Sequence, residues 1–497
     1  MLKILADRER DWFIPVLVLL LVFILAARSP LDTDMWWHLR AGEQTWTTGR
    51  PMLLDTFSFT RFGVHWINHS WLSEAGMYLL FKNGGFLALG GAMAFLATLS
   101  MGIVYFQMSG PAIFRAFLLI LGSAVTAVVW SPRPQLMSLV LLAVLSTIFF
   151  LYKWKGRNHI KWLPVIFLLW GNLHGGFAIG FILIGSFIAG EITNHLLGNT
   201  SNVVLAWKQI GQMIIWSLVS AFAILVNPNG LDIWKIPFQT VEVSTLPQFI
   251  IQEWTSPDFH ELYQQPFLWL LFAILAAAAF SRRRMDGSDF VTVIVFAIMG
   301  LLARRNFGPF GIVALPVLSR TLWPSIQSLR TPNTPEPPWQ KDIPSPAPKI
   351  RPLWQRRVNL AIVGFLALVA FGKLFIVTYP AVMEAATAAA EPVGAADWLV
   401  QNHAQGRLFD EYNWGGYLAW RMSEPRIFVD GRTDLFGDEI LGEWITTVQA
   451  GDGWQQILAK WDVNYVMVDP SRPLVKILPE NGWKLLYQDS LAIIYGK

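Results

Sequence analysis

The sequence predicts an all-α polytopic membrane domain with its N-terminus inside, followed by an extracytoplasmic α/β domain. Three observations predict it. The 497 residues are 54% hydrophobic and only 14% charged, against about 25% charged in an average soluble domain. Apolar runs of spanning or near-spanning length recur through the first three quarters of the chain. From about residue 380 the composition becomes that of a soluble domain.

The apolar runs lie at 12–28, 86–106, 112–130, 135–152, 162–172, 177–197, 209–226, 265–280, 289–303, 307–323 and 358–378. They make about eleven transmembrane or re-entrant helices. The run 162–172 is too short to span alone and reads as a tilted or re-entrant half-helix. The first run follows MLKILADRER as a signal peptide would. Arg28 occupies the place of a small cleavage-site residue, however, so the run reads as a retained anchor. Lys and Arg set the orientation. With the N-terminus inside, KWKGRNHIK (153–161), SRRR (281–284) and WQRR (354–357) all fall on the inner side, as the positive-inside rule asks.

The expected organisation is a multi-helix membrane domain over 1–323 with a large external loop at 29–85. A Pro-rich cytoplasmic linker at 324–357, a last transmembrane helix at 358–378 and an extracytoplasmic domain at 379–497 complete it. In that domain AADWLVQNH and 438–461 read as helices. RLFDEY, RIFVDGR, NYVMV, WKLLY and LAIIY read as strands. The expected location is the plasma (inner) membrane, multi-pass, with membrane lipids as neighbours.

Composition also excludes. Cysteine is absent, which removes disulfides, thiolate metal sites and cysteine nucleophiles. The net charge of +4 does not call for nucleic acid, because the basic residues gather in short loops that topology explains. There is no P-loop and no glycine-rich dinucleotide fingerprint.

Nearly every unusual polar motif falls on the expected outer face. SPLDTDMWWHLRAG sets Asp32 and Asp34 one residue apart at a membrane edge, although an Asp inside the bilayer costs roughly 3 kcal/mol. If MWWHLRAGEQTW is helical, His38 and Trp37 share a face with Asp34. One carboxylate could serve as a helix N-cap. The functional alternative is that Asp32 or Asp34 takes a proton from an acceptor or helps hold a hard divalent ion. Oxygen ligands favour Mg²⁺ or Mn²⁺, bridging carboxylate and phosphate. LLDTFSFT reads as extended. An interfacial helix starts at Ser70 with Trp71, Leu72 and Tyr78 toward the bilayer, and His69 and Glu74 near its start could reach the same site.

Arg133 sits between two prolines, and His174 stands beside Gly175 and Gly176 where a helix breaks. Arg304 and Arg305 run against the topological bias, which suits a phosphate at the membrane surface. Glu253 and Asp258 read as surface residues. Asp430, Arg432 and Asp434 either bind an acceptor or pair among themselves. This inventory suits a substrate with a lipid tail, an anionic phosphate and a polar head.

The run LDTDMWWHLRAGEQTWTTGRPMLLDTFSFT resembles the first external loop of GT-C class glycosyltransferases, especially oligosaccharyltransferase catalytic subunits and their uncharacterised bacterial relatives. Asp32, Asp34, Trp37, His38, Arg40, Gly49, Pro51, Asp55 and Ser58 carry the resemblance. In the tail, GGY followed by VDGR is similar to the WWDYG region of that family, whose aspartate falls here on Trp414.

The resemblance implies a membrane glycosyltransferase that moves a sugar from a polyprenyl-phosphate-linked donor to an acceptor by an inverting single displacement on the extracytoplasmic face. Asp34 or Asp32 would deprotonate the acceptor. Arg304, Arg305, Arg133 and His174 would stabilise the departing phosphate, with Trp37, His38, Arg40, His69 and Glu74 also binding substrate. Tyr417, Asp430 and Arg432 would stand on the acceptor side. The alternative is a catalytically silent binding or transport protein for lipid-linked saccharides.

Overall fold

The computed structural model describes residues 12–199, 203–238, 251–281, 284–330 and 353–497. Each apolar run is helical: α1 Phe13–Ala26, α3 Trp71–Gln107, α4 Ala112–Thr126, α5 Gln135–Trp154, α6 Leu163–Leu173, α7 Phe177–Leu196, α8 Trp207–Ala223, α9 Gln265–Phe280, α10 Gly287–Leu302, α11 Phe307–Arg330 and α12 Leu353–Val377. A further helix, α2 Met35–Thr48, lies between α1 and α3. Among the described residues six helices are long and apolar enough to cross a membrane. Phe13–Ala26, Ile160–Leu173 and Gly287–Leu302 are apolar but shorter.

Two glycines shape the region between α1 and the bundle. Gly49 ends α2 in the left-handed conformation, φ 65°. Gly85, at φ 55°, breaks α3 into an amphipathic first part and an apolar second part. The first part packs on α2 at Gly42, where an added Cβ would lie 2.1 Å from the Glu74 carbonyl oxygen. That approach turns Tyr78 inward, buried against α2, and Trp71 Nε1 donates to Asn172 Oδ1 at 2.9 Å. Of the three residues expected to face the bilayer, only Leu72 is exposed.

The helix α11 runs on to Arg330, and α12 begins at Leu353, so WQRR (354–357) is helical. The Pro-rich stretch 331–352, the leader MLKILADRER and the two middle arginines of SRRR lie outside the described residues.

Beyond α12 come α13 Pro380–Ala390, α14 Val393–Gln401, β1 Arg407–Phe409, α15 Gly415–Arg421, β2 Arg426–Ile427, α16 Thr433–Val448, α17 Trp454–Lys460, β3 Tyr465–Val468, α18 Pro473–Ile477, β4 Lys484–Gln488 and β5 Ile493–Gly496. The sheet order is β2-β1-β3-β5-β4. β1 runs parallel to β2 and β3, while β5 is antiparallel to β3 and β4. β3 and β5 are apolar and almost wholly buried, as interior strands require.

This domain does not stand apart from the external loop. Trp36, Trp37, Met52 and Trp66 share one buried core with Phe409, Phe428 and Trp444. LLDTFSFT, expected as extended chain, forms isolated bridges rather than a named strand, and one of them continues the sheet edge at Ser58 and Ile427. Phe59 N donates to Ile427 O at 3.0 Å and Thr60 Oγ1 to Phe428 O at 2.6 Å. Asp55 closes its own turn by accepting from Ser58 Oγ at 2.6 Å. Arg432 Nη2 reaches Asp55 at 2.7 Å and Asp430 at 2.6 Å, all three side chains fully buried.

Candidate active site

Asp34 occupies the N-cap position of α2, yet its side chain makes no capping bond. Asp32 Oδ1 accepts the Asp34 backbone N–H at 2.9 Å, a turn that presents both carboxylates to the same partner. That partner is Arg133, delivered from the turn between α4 and α5. Its Nε lies 3.1 Å from Asp32 Oδ2 and its Nη1 2.7 Å from Asp34 Oδ2. The other edge of the guanidinium meets Glu253, Nη2 to Oε2 at 2.8 Å. One arginine thus ties three carboxylates together.

Glu253 leads on to the arginine pair. With Val128, Val129, Tyr263, Arg304 and Arg305 it lines a cavity of about 170 Å³. Arg304 Nη1 donates to Tyr263 Oη at 2.9 Å, and the Arg305 guanidinium lies over the Trp254 ring, 4.6 Å from its centroid. Burial lowers the Arg305 pKa from the ordinary arginine value; Glu253 opposes this, and Arg133 adds to it. Burial also works against the charge of Arg133, but Asp32, Glu253 and Asp34 together push that group above the usual arginine range.

Burial pushes the Asp34 carboxyl up to about 7, with Arg133 pulling down and Asp32 and Glu253 pushing up. The Asp34 side chain still keeps 23% of its surface accessible, so a reactant can reach it. Trp37 Nε1 donates to Asp34 Oδ1 at 3.1 Å. Gly431, in the turn after β2, presses on the same oxygen: an added Cβ would sit 1.9 Å from Asp34 Oδ1.

Three histidines adjoin the arginine and carboxylate chain. His38 Nδ1 is 2.9 Å from Glu74 Oε1, and Glu74 Oε2 accepts from Asn68 at 2.7 Å. His69 and His174 meet edge to face, ring centroids 5.7 Å apart. Burial holds His38 and His174 well below the usual imidazole value and lowers His69 as well. That direction favours the uncharged form of all three rings.

Of the residues singled out from sequence, Asp32, Asp34, Trp37, Arg133, Arg304 and Arg305 fall into one connected group, with His38, His69, Glu74 and His174 beside it. Four do not join it. Arg40 turns away to Glu43 at 2.6 Å and Ser423 at 3.2 Å. Tyr417 packs edge-on against Trp36, centroids 5.2 Å apart, in the shared core. Asp430 and Arg432 are consumed in the buried clasp with Asp55, so the reading in which they pair with each other is the one the contacts favour. Glu253, read as a surface residue, belongs to the group. Nothing in its local spacing marks it, because only the fold brings it to Arg133.

Among the described residues no group of three or more acidic or histidine side chains is arranged to hold a metal ion. Asp32 Oδ1 accepts from Asp34 N, Asp34 Oδ1 from Trp37, and both Oδ2 atoms face Arg133, so every oxygen already meets a protein donor.

No known family profile matches the chain, and no curated protein matches it in sequence. Solved structures do. An oligosaccharyltransferase from Archaeoglobus fulgidus in the apo form superposes with a TM-score of 0.56 at 12% identity, covering 92% of this chain and 69% of that one. ArnT from Cupriavidus metallidurans bound to undecaprenyl phosphate gives 0.49 at 12% identity over 97% of each chain. The chain therefore shares its fold with that oligosaccharyltransferase.

Proposed function

We propose that this multi-pass membrane protein is a glycosyltransferase that moves a sugar from a polyprenyl-phosphate-linked donor to an acceptor. The reaction would take place on the extracytoplasmic side, the side the positive-inside rule favours for this end of the bundle. The observation that carries the reading is the continuous chain of side chains from an accessible carboxylate, Asp34, through Arg133 and Glu253 to a cavity flanked by Arg304 and Arg305. A proton acceptor stands at one end and a phosphate-sized space with positive charge at the other.

The acceptor hydroxyl or amide gives its proton to Asp34 as its oxygen or nitrogen attacks the anomeric carbon. The bond from that carbon to the phosphate oxygen breaks, its electron pair stays on the phosphate, and the configuration inverts. Arg305, held by a ring face rather than by a carboxylate, can take the growing phosphate charge. Arg133 keeps Asp34 and Asp32 oriented for the step.

The test gives purified protein a panel of labelled polyprenyl-phosphate sugars and follows transfer and hydrolysis, for the native chain and for Asp34→Asn and Asp32→Asn. Loss of donor consumption in Asp34→Asn supports the reading. Consumption that survives both substitutions removes it. A donor that binds and never turns over favours the silent binding or transport protein.

A further inference from the structure

The atoms around two histidines of this site fix each ring in a single protonation form. His174 Nδ1 accepts the backbone N–H of Gly176 at 3.0 Å and lies 2.8 Å from Ser138 Oγ. That hydroxyl oxygen accepts the Trp170 indole N–H at 2.7 Å, which leaves its own hydrogen to turn toward His174. His69 repeats the arrangement: its Nδ1 accepts the Gly175 N–H at 3.1 Å and faces Ser70 Oγ at 2.8 Å. A ring nitrogen that accepts a backbone N–H carries no hydrogen itself, so both rings are neutral with the proton on Nε2.

Among the described residues no side-chain hydrogen bond at either Nε2 is found, and both rings are partly accessible. Two N–H groups are thus left to donate from rings in edge-to-face contact. The charged and titratable neighbours are His38, Arg133, Arg305 and Asp434. Two of these are permanent cations, and they oppose any second proton on His174.

We propose that His69 and His174 are fixed, uncharged hydrogen-bond donors that present Nε2–H to the phosphate oxygens of the lipid-linked donor beside Arg305. The inference rests on the glycosyltransferase reading and adds the role of the two rings. An imidazolium would lose its charge near pH 6.5. A neutral ring keeps its N–H throughout the working range. It also adds hydrogen bonds without another full charge in a cluster that already holds Arg133, Arg304 and Arg305, so the phosphate is gripped but can still leave.

The probe is a polyprenyl monophosphate in detergent micelles, with binding followed by tryptophan fluorescence. His174→Gln keeps an N–H where Nε2 was, whereas His174→Asn keeps an acceptor where Nδ1 was. A donor role predicts that the Gln variant binds within about threefold of the native protein and the Asn variant roughly tenfold more weakly. The same order is expected at His69. A merely structural role reverses it, since Asn preserves the contacts to Gly176 and Ser138. Equal affinities, or the reversed order, overturn the proposal. Absence of binding by the native protein would remove the parent reading and the donor role together. Nitrogen NMR of histidine-labelled native protein tests the ring state separately. Protonated Nδ1 at neutral pH in either ring overturns the lock even where the phosphate binds.

Discussion

Asp34 combines two properties that are seldom found together, a carboxyl pushed up to about 7 and an accessible face. A general base works best when its pKa lies near the working pH. Transfer is therefore expected to rise as the pH climbs through about 7 and then level, because below that value Asp34 holds its own proton. Asp34→Asn should cost roughly 10²–10⁴-fold in turnover and abolish that limb of the profile, while polyprenyl phosphate still binds. An unchanged profile in the variant would assign the base to another group. The stability effect has the opposite sense. A raised carboxyl favours the folded state at low pH, and that contribution is lost as the pH rises from the ordinary carboxyl value of 3.8 toward about 7.

Arg305 and Arg40 separate by their partners. Arg305 rests on a ring, whereas Arg40 is neutralised by Glu43. Arg305→Ala should raise the KM for donor roughly tenfold, and Arg40→Ala should leave it within about twofold. Steady-state kinetics with a donor series would show whether the order holds.

At the scale of elements, the determining feature is the seam between the external loop and the C-terminal sheet. Residues 55–60 attach to the edge of β2 through Ser58, Phe59 and Thr60, and the buried clasp of Asp55, Asp430 and Arg432 closes the seam. The Arg432 guanidinium also lies 4.6 Å from the Phe57 ring centroid and 5.1 Å from that of Trp66. Removing one member of such a buried network leaves charges without water or partner, at a cost of about 3–5 kcal/mol. Arg432→Ala is thus expected to lower the apparent Tm and to expose the loop to protease, with activity lost as a consequence. A variant as stable as the native chain would show that the clasp is dispensable.

The turn after β2 offers a finer probe. Gly431→Ala forces a methyl group onto Asp34 Oδ1 and should lower kcat at least tenfold, on the order of the loss from small misplacements of a reacting group. Phosphate binding should be kept. A normal kcat would mean that the domain merely covers the base.

At the scale of the molecule, all of these groups gather at the end of the helix bundle where the C-terminal domain docks. A separate buried network ties α5, α7 and α10 together through Lys153, Glu191 and Asp286, with Asp286 at 2.5 Å from Lys153 Nζ. Arg320 and Asp289 pair nearby at 2.6 Å. Charges held this way disfavour alternative helix registers. The absence of native cysteine makes sidedness directly measurable. A cysteine at Gln456 should react with an impermeant maleimide from outside intact cells, and one at Asn158 only after the membrane is opened. The opposite pattern would invert the whole topology.

The sequence by itself determined the helical membrane domain, the position of each apolar helix and the change to an α/β domain near residue 380. These follow from hydropathy and chain-local propensity, which do not depend on partners. It also marked Asp32, Asp34, Arg133, Arg304 and Arg305, because charges at membrane edges are costly enough to stand out. Only the tertiary structure decided that one arginine binds both aspartates, that Glu253 joins them, and that Arg40, Tyr417, Asp430 and Arg432 serve elsewhere. Those outcomes depend on which distant segments meet: Arg133 lies 99 residues from Asp34 and 120 from Glu253 along the chain. A pairing between charges so far apart leaves no periodicity to read, because folding brings them together only after every helix has found its neighbour.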